Sequence, residues 1–197
     1  MFGKIKEKVI FMDTLSSKRL LLRAFTKDDF FDVIALADNW NSAPGPKWDK
    51  FPADERFLEE ICTKENYYAV YLREEEKVIG ILAINGICEN EKLDLGHVIH
   101  SDFQNNDIDR EALEMMVEHI FATMEVKKII TGNFPYEKQI APLKSLGFIY
   151  KGTSDSSTYE PIKSLGYGFY EETSDCCTYE MEKNDWKKVN KSKNYCT

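Results

Sequence analysis

The chain has 197 residues, 43% hydrophobic and 30% charged, which is typical of one soluble globular domain with a sizeable core. Its formal net charge of −8 argues against a nucleic-acid-binding protein and mildly favours a cationic partner. The five cysteines lack CxxC spacing, so neither a metal site nor a disulfide framework is predicted. No segment has the length and apolar character of a membrane span, and the first residues are not a signal peptide, so we expect a cytoplasmic protein.

The first half of the chain alternates strand and helix patterns. A Thr26 N-cap with Asp29 three residues later marks the start of the first helix. The segment 39–52 contains two tryptophans and three prolines and predicts a loop. The predicted elements are a short edge strand at Lys8–Met12, a core strand at Arg19–Phe25, a helix with an apolar face from Phe30 to Ala37, a helix at Ala53–Cys62, and a hairpin of Tyr67–Leu72 with Val78–Asn85.

The segment Leu93–Met124 organises the rest of the chain. It begins with an apolar, partly β-branched run, Leu93–His100, which predicts a strand. A polar turn follows, and apolar residues then recur at helical spacing over about Asp109–Met124. Because the first N–H groups of a helix have no internal partner, a strand that leads into a helix in this way is a natural site for an anionic ligand.

The C-terminal third contains an internal repeat. Residues 142–160 recur as residues 161–180, with one residue inserted, which indicates a tandem duplication within a single domain over residues 1–183. Ahead of it we expect a strand at Lys128–Asn133 and a helix at Lys138–Leu146 that ends at Gly147. The first copy should form the helix end and the next strand, and Thr178–Glu182 of the second copy should form the last strand. The middle, about 154–166, should lie outside the core, and residues 184–197 should be a frayed tail.

The central segment resembles the acetyl-CoA motif of the GNAT N-acetyltransferases, particularly the branch of the ribosomal-protein N-terminal acetyltransferases. In that family a strand is followed by a Gln/Arg-x-x-Gly-x-Gly/Ala turn and a helix, and here the turn reads Gln104-Asn105-Asn106-Asp107-Ile108-Asp109. The order of elements agrees over about residues 15–148. The resemblance implies an α/β (α+β) fold with a mixed, mostly antiparallel sheet, helices on both faces and a splayed central strand pair.

The resemblance also implies a function, the transfer of an acetyl group from acetyl-CoA to an amine of a small molecule or a protein N-terminus. The resemblance leaves open whether the protein forms a homodimer. The implied cofactor-binding residues are Val98, Ile99, His100, Gln104, Asn105, Asn106, Asp107, Ile108, Asp109, Arg110 and Asn133. Backbone N–H groups of residues 98–100 would stabilise the oxyanion of the transfer step.

The candidate catalytic residues are three titratable groups on the motif strand. A lysine-type amine has a pKa of roughly 10.4, so transfer requires a base or a chain of waters to take its proton. Asp94 holds the position at which relatives carry a carboxylate base, and His97 and His100 could both titrate near neutral pH. Asp94 could alternatively be a solvated residue of the sheet face, and either histidine could be a structural partner of a backbone carbonyl.

The sequence also leaves two functions open. Trp40, Trp48 and Phe51 could form an acceptor pocket of an acyltransferase, or they could belong to ordinary core packing.

The turn has Asp107 and Asp109 where the family has small residues, and a carboxylate about 6 Å from a phosphate is repelled by roughly 3 kcal/mol at an effective dielectric of about 20. Asp109 is also a predicted N-cap of the helix. The alternative is therefore a GNAT-fold protein that has weakened or lost CoA binding and acts as a binding or interaction module.

Overall fold

The fold is built on one eight-stranded sheet, which the computed structural model describes over residues 13–42, 54–88, 91–104, 107–133, 137–154 and 176–193. The strands are β1 (Leu15–Ser16), β2 (Leu20–Arg23), β3 (Tyr67–Leu72), β4 (Lys77–Cys88), β5 (Lys92–Ile99), β6 (Lys128–Asn133), β7 (Ile149–Ser154) and β8 (Cys176–Glu182). They lie in the order β1-β2-β3-β4-β5-β6-β8-β7. Only β5 and β6 are parallel neighbours among these strands, so the predicted mixed, mostly antiparallel sheet is confirmed.

Helices cover both faces of the sheet, as predicted. They are α1 (Phe30–Ser42), α2 (Glu55–Cys62), α3 (Ile108–Thr123), α4 (Glu137–Leu146) and α5 (Lys183–Lys193). The larger hydrophobic cluster joins α3, α4 and α5 to one face, and a smaller cluster joins α1 and α2 to the other. Strand β5 contributes Leu95 and Ile99 to the first and Val98 to the second, because successive side chains of a strand point to opposite faces. No described helix has the length and apolar character needed to cross a bilayer.

The start of α1 follows the capping pattern of the sequence. The Asp29 carboxylate accepts a hydrogen bond from the Thr26 N–H at 2.7 Å and forms an ion pair with Arg23 at 2.8 Å. The helix then runs to Ser42, so the prediction that a loop begins at residue 39 was wrong. The first prolines come only at positions 44 and 46, and nothing before them prevents the helix from continuing.

Two predictions about helix ends need correction. Helix α3 begins at Ile108, and its N-cap is Asp107 in the left-handed conformation, with φ of 56°; Asp109 is therefore not the N-cap but lies in the first turn. Aspartate tolerates this conformation better than most residues, so the turn forms without glycine. The predicted tail at 184–197 instead contains most of α5, which Trp186, 4% exposed, holds against the core. The predicted end of α4 at Gly147, φ 91°, is confirmed.

The two repeated segments form different elements of the C-terminal part of the fold, as predicted. The first copy forms the end of α4 and all of β7, whereas β8 comes from the second copy. Strand β8 lies between β6 and β7 and pairs antiparallel with both. The predicted excursion at about 154–166 falls almost entirely outside the described residues, as does the edge strand at Lys8–Met12.

The choice of the second copy for β8 has a physical reason at Met181. Lys183 N–H donates to the Lys127 carbonyl at 2.9 Å, and alternation along an antiparallel ladder makes Ile129 and Met181 a hydrogen-bonded pair as well. Met181 directly follows the second copy, and the residue that directly follows the first copy is Pro161, which has no N–H to donate. Met181 is also 1% exposed. The first copy would therefore lose both a ladder hydrogen bond and a buried side chain at this position.

We expect Met181→Pro to lower the free energy of unfolding by on the order of 3–5 kcal/mol, because it removes one ladder hydrogen bond and most of a buried side chain. Met181→Leu keeps the N–H and nearly the same volume, and should cost less than about 1.5 kcal/mol. Urea denaturation of the two variants and the wild type measures the difference. Equal stability of all three proteins would show that this register does not hold β8 in the sheet.

Candidate functional site

A cleft opens where the two parallel strands of the sheet separate. Strands β5 and β6 pair at only three positions, the last of them Asp94 with Ile130. Beyond this pair β5 continues to Ile99 and β6 to Asn133 with no further pairing between them. The predicted splay is therefore present, and it exposes one edge of β5 in the middle of a sheet.

Two hollows that share Asp109 and Lys138 lie near this edge. The inner one adjoins β5, and the outer one lies between the first turn of α3 and helix α4. The outer one is an open cleft of about 260 Å³, and the inner one is a cavity of about 20 Å³, roughly the space of one water molecule. The outer lining includes Asp107, Asp109, Arg110, Lys138, Ala141, Pro142 and Ser145. The inner lining includes Trp40, His97, Val98, Ile99, Gln104, Asp109, Lys138 and Gln139.

The direction of the main-chain groups on β5 follows from one hydrogen bond. His100 N–H donates to the Ile79 carbonyl of β4 at 2.8 Å, so this group points away from the cleft. Because the pairing alternates along an antiparallel ladder, Val98 also faces β4, whereas Ile99 faces the side on which β6 has diverged. Gln104 Nε2 donates to the Ile99 carbonyl at 2.8 Å, which agrees with this direction. Of the three predicted N–H donors, only Ile99 therefore faces the cleft.

Gly80 lets β4 approach β5 closely at this residue. It pairs with Ile99, and a Cβ atom on Gly80 would lie 2.6 Å from the Val98 carbonyl oxygen and 2.4 Å from the Ile99 side chain. Both distances are far below van der Waals contact. Any larger residue at position 80 would push away the strand that presents Ile99 to the cleft.

His97 lies on the same face of β5 as Ile99, towards α4. Its Nδ1 atom is buried and has no hydrogen-bond partner among the described residues. Burial lowers the pKa of His97 to about 4, although a hydrogen bond with the Gln139 main chain acts in the opposite direction. The expectation that His97 titrates near neutral pH was therefore wrong. The imidazole is neutral at pH 7 and lines the inner cavity. Its Nδ1 atom has no partner among the described residues and is a donor or an acceptor according to the tautomer.

Asp94 and His100 lie apart from His97. Asp94, 5% exposed, is at the last parallel pair and on the opposite face of β5, which it shares with Val98 and the α1–α2 side of the sheet. His100 Nδ1 accepts a hydrogen bond from Asp102 N–H at 3.3 Å and caps a short 3₁₀ turn, and its ring lies 5.9 Å from that of Phe103. Of the three candidate catalytic residues, only His97 lines the described cavities.

The predicted cofactor-binding residues divide into three groups. Val98, Ile99, Gln104, Asp107, Asp109 and Arg110 line the cleft. Three others do not: Ile108 is buried in the core, Asn133 is buried with its Nδ2 bonded to Thr131 Oγ1 at 3.2 Å, and His100 caps the 3₁₀ turn. Asn105 and Asn106 lie outside the described residues. The structure thus brings about half of the predicted set to one place.

The first turn of α3 is acidic, and one of its carboxylates accepts a hydrogen bond from an N–H of the same turn. Asp109 is 5% exposed, and its Oδ1 accepts a hydrogen bond from the Arg110 N–H at 2.8 Å. Arg110 pairs with Glu114 at 3.5 Å. Arg19 reaches over from the β1–β2 edge and forms an ion pair with Glu111, with its Nε 2.6 Å from the carboxylate. The two arginines near this turn are therefore already engaged with carboxylates of α3.

Sequence reasoning missed Lys138, which lines both hollows. The other lysine of α4, Lys144 in its second half, pairs with Glu137 of the same helix at 3.2 Å and is not among the lining residues. Helical spacing could have found Lys138, because it shares one face of α4 with Ala141, Pro142 and Ser145, which also line the outer cleft.

The predicted aromatic acceptor pocket is described in part. Trp40, near the end of α1, lines the inner cavity opposite His97 and Ile99. Trp48 and Phe51 lie outside the described residues. An aromatic side chain thus reaches the cleft from the α1–α2 side, whereas α3 and α4 border it from the other side.

The buried His97 predicts a specific pH dependence of stability. Its folded pKa of about 4 is below the ordinary value of about 6.5, so the unfolded state binds the proton more readily and stability falls as the pH drops from 6.5 towards 4. Between pH 7.5 and pH 5 the wild type should lose about 2 kcal/mol more unfolding free energy than His97→Gln. Urea denaturation at the two pH values tests this; equal losses would mean that the imidazole is protonated in the folded protein.

Comparisons with known proteins agree with this geometry. The family model for the acetyltransferase (GNAT) domain matches residues 19–135. No curated protein sequence matches the chain. A GNAT-family acetyltransferase from Bacillus anthracis has a similar structure, with a TM-score of 0.67 and 16% identity, over 87% of this chain and 99% of that one.

Two further solved structures are similar at the level of the fold. The ribosomal-protein-S5-alanine acetyltransferase of Vibrio fischeri has a TM-score of 0.63 and 19% identity, over 88% of this chain and 98% of that one. A spermidine/spermine N-acetyltransferase of Vibrio cholerae has a TM-score of 0.63 and 16% identity, over 89% and 99%. The family model spans more than half of the chain and includes β5, β6 and α3. This protein therefore belongs to the GNAT acetyltransferase domain family.

Proposed function

We propose that the protein transfers an acetyl group from a pantetheine thioester of the acetyl-CoA class to a primary amine. The observation that carries this proposal is the early end of the β5–β6 pairing, at Asp94 with Ile130. It leaves an open edge of β5 beside the inner cavity, which shares Asp109 and Lys138 with the outer cleft of about 260 Å³. An extended chain with amide groups, such as a pantetheine arm, can hydrogen-bond along such an edge as an added strand would.

The reacting carbonyl would then lie near Ile99. Attack of the amine nitrogen on the thioester carbon forms a C–N bond and places negative charge on the carbonyl oxygen, and the C–S bond breaks as the thiolate leaves. The N–H of Ile99 points into the cleft, where it would donate a hydrogen bond to that oxygen and stabilise its negative charge. Gly80 supports the proposal because it keeps β5 close to β4 at this residue.

The amine and the thioester would approach from opposite faces of the sheet. The thioester arm would enter from the α3–α4 side, and the amine from the side of Trp40 and α1. Asp94 lies on the amine side of β5, five residues from Ile99 and therefore roughly 16 Å away along the strand. We assign it the role of the base that takes the proton of the attacking amine through a chain of waters. His97 lies on the thioester side and, because it is neutral at pH 7, contributes a polar contact and no positive charge.

The acceptor is proposed as a small polyamine or the N-terminal amine of a protein. Both classes are named among the structural neighbours, one of which acts on spermidine or spermine and another on alanine of a ribosomal protein. The net charge of −8 favours a cationic acceptor of either kind. Acetyl transfer to spermine and to peptides that begin with alanine, measured by mass spectrometry of the amine, distinguishes the two.

A second candidate function is supported by one observation at α3. The Asp109 carboxylate occupies the N–H of Arg110, which is one of the groups that would bind a cofactor phosphate in such a turn. A GNAT-fold protein with weakened CoA binding could then act as a binding module without transfer. Absence of any acetylated product, with an acceptor bound in calorimetry, would favour this second function.

If Asp94 is the base, Asp94→Asn should lower kcat for acetyl transfer by on the order of 10²–10⁴-fold, because the amine must lose a proton in the reaction. The affinity for the thioester should stay within about threefold, since Asp94 lies on the amine side of the strand. Single-turnover transfer and calorimetry with CoA measure the two quantities separately. His100→Asn serves as a control, since His100 does not line the cleft, and it should retain transfer; loss of thioester binding in Asp94→Asn would instead assign Asp94 a structural role.

A further inference from the structure

Trp40 closes one side of the space in which the proposed reaction takes place. Its side chain lines the inner cavity together with His97, Val98 and Ile99 of β5. The cavity measures about 20 Å³, which is roughly the space of one water molecule, and a methyl group is only slightly larger than water. A group placed beside the Ile99 N–H therefore has little room around it.

The acyl group of a thioester bound at Ile99 has to enter this space. Its carbonyl oxygen would lie about 3 Å from the Ile99 nitrogen, as in an ordinary hydrogen bond. The carbonyl bond and the next C–C bond are short, so the first carbon of the acyl chain lies within roughly 6 Å of that nitrogen. Trp40 shares the cavity with Ile99 and therefore bounds the acyl chain from the α1 side.

The position of the Trp40 wall is fixed by hydrogen bonds of the neighbouring residue. Asn39 Nδ2 donates to Ser101 Oγ at 2.8 Å, and Asn39 Oδ1 accepts the Ser101 N–H at 3.0 Å. Since Ser101 lies just beyond the end of β5, this pair ties the C-terminal part of α1 to that strand. One turn earlier, Leu36 is buried in the core. Helix α1 therefore cannot withdraw from the cavity without losing two hydrogen bonds and buried contacts.

The opposite wall of the cavity is also fixed. Strand β5 pairs with β4 along its whole length, and a Cβ atom on Gly80 of β4 would lie only 2.6 Å from the Val98 carbonyl oxygen. His97 on this wall has a buried Nδ1 atom without a hydrogen-bond partner among the described residues. An alkyl chain pressed against this nitrogen would keep it unpaired, which adds to the steric cost. Size and polarity therefore both disfavour a longer acyl chain.

We propose that Trp40 sets the length of the acyl group, so that the protein uses acetyl thioesters and rejects butyryl and longer thioesters. This inference rests on the proposed acyl-transfer function. Trp40 is then a specificity-determining residue for the donor. The ratio of the rates for two acyl lengths reports this role, whereas the affinity for the amine does not.

The experiment compares acetyl-CoA with butyryl-CoA as donors for the full-length protein, with spermine or an alanine peptide as the acceptor. In the wild type we expect kcat/KM for acetyl-CoA to exceed that for butyryl-CoA at least about 100-fold, because each methylene that does not fit costs roughly tenfold. Trp40→Ala removes the indole and should reduce this ratio at least about tenfold. Trp40→Phe, which keeps an aromatic ring of smaller size, should reduce it by a smaller factor.

Phe31→Ala is the matched control, since it removes an aromatic ring from the same helix at a position that is 79% exposed and does not line either hollow. It should leave the ratio unchanged. A wild-type ratio in Trp40→Ala, with a raised KM for the amine with both donors, would assign the indole to acceptor binding. That result would overturn the inference and leave the proposed function intact, as would equal use of both donors by the wild type.

Calorimetry with unreactive donor analogues keeps the inference testable without transfer. In S-acetonyl-CoA and its longer homologue S-(2-oxopentyl)-CoA a methylene separates the carbonyl from sulfur, so no acyl group can leave. The wild type should bind the first at least about tenfold more tightly than the second, and Trp40→Ala should bind the two within about threefold of each other. If neither thioester yields product but this binding pattern holds, acyl transfer is overturned and the size limit stands. Equal affinities of the wild type for the two analogues would overturn the size limit.

Discussion

The early divergence of β5 from β6 is the constraint on which the site depends. A parallel pair that stops after three positions leaves hydrogen-bonding groups of β5 without a strand partner on that side, and such groups must bind something else when they are buried. Gln104 supplies one substitute by donating to the Ile99 carbonyl. The separation is maintained from both sides, because β6 is held in the sheet by β8 and β5 is held by β4 along its whole length. The opening beside β5 is therefore a property of the sheet, whereas helices α3 and α4 form the outer cleft.

Much of this arrangement could be predicted from the sequence, since it follows from local patterns. The apolar run of β5, the helical spacing of α3 and the terminator Gly147 each specify one element with little help from the rest of the fold. The details of the site could not be predicted, because they depend on where elements meet. The choice of Ile99 over His100 as the N–H that faces the cleft depends on the pairing phase with β4, and the low pKa of His97 depends on its burial. The helix start at Ile108 depends on a left-handed Asp107, which competes with an equally acceptable cap two residues later.

The position of Asp109 in the first turn of α3 can hold a small residue or a carboxylate without a change of fold. A small residue there leaves the N–H groups open to a ligand, whereas a short carboxylate satisfies one of them within the chain. The two solutions are similar for the stability of the helix, because an acidic residue in the first turn also interacts favourably with the helix dipole. Folding alone therefore does not select between them.

The origin of β7 and β8 in different copies of the repeat has a consequence for how the sheet assembles. These antiparallel neighbours are separated by residues 155–175, whereas a hairpin commonly needs only two to five residues in its loop. Closing the longer connection costs about 1–2 kcal/mol more in chain entropy, since this term grows only with the logarithm of loop length. Thermodynamically the fold tolerates it. Kinetically, β8 also completes the pairing of β6, so the half of the sheet that frames the cleft depends on contacts distant in sequence and should form late in folding.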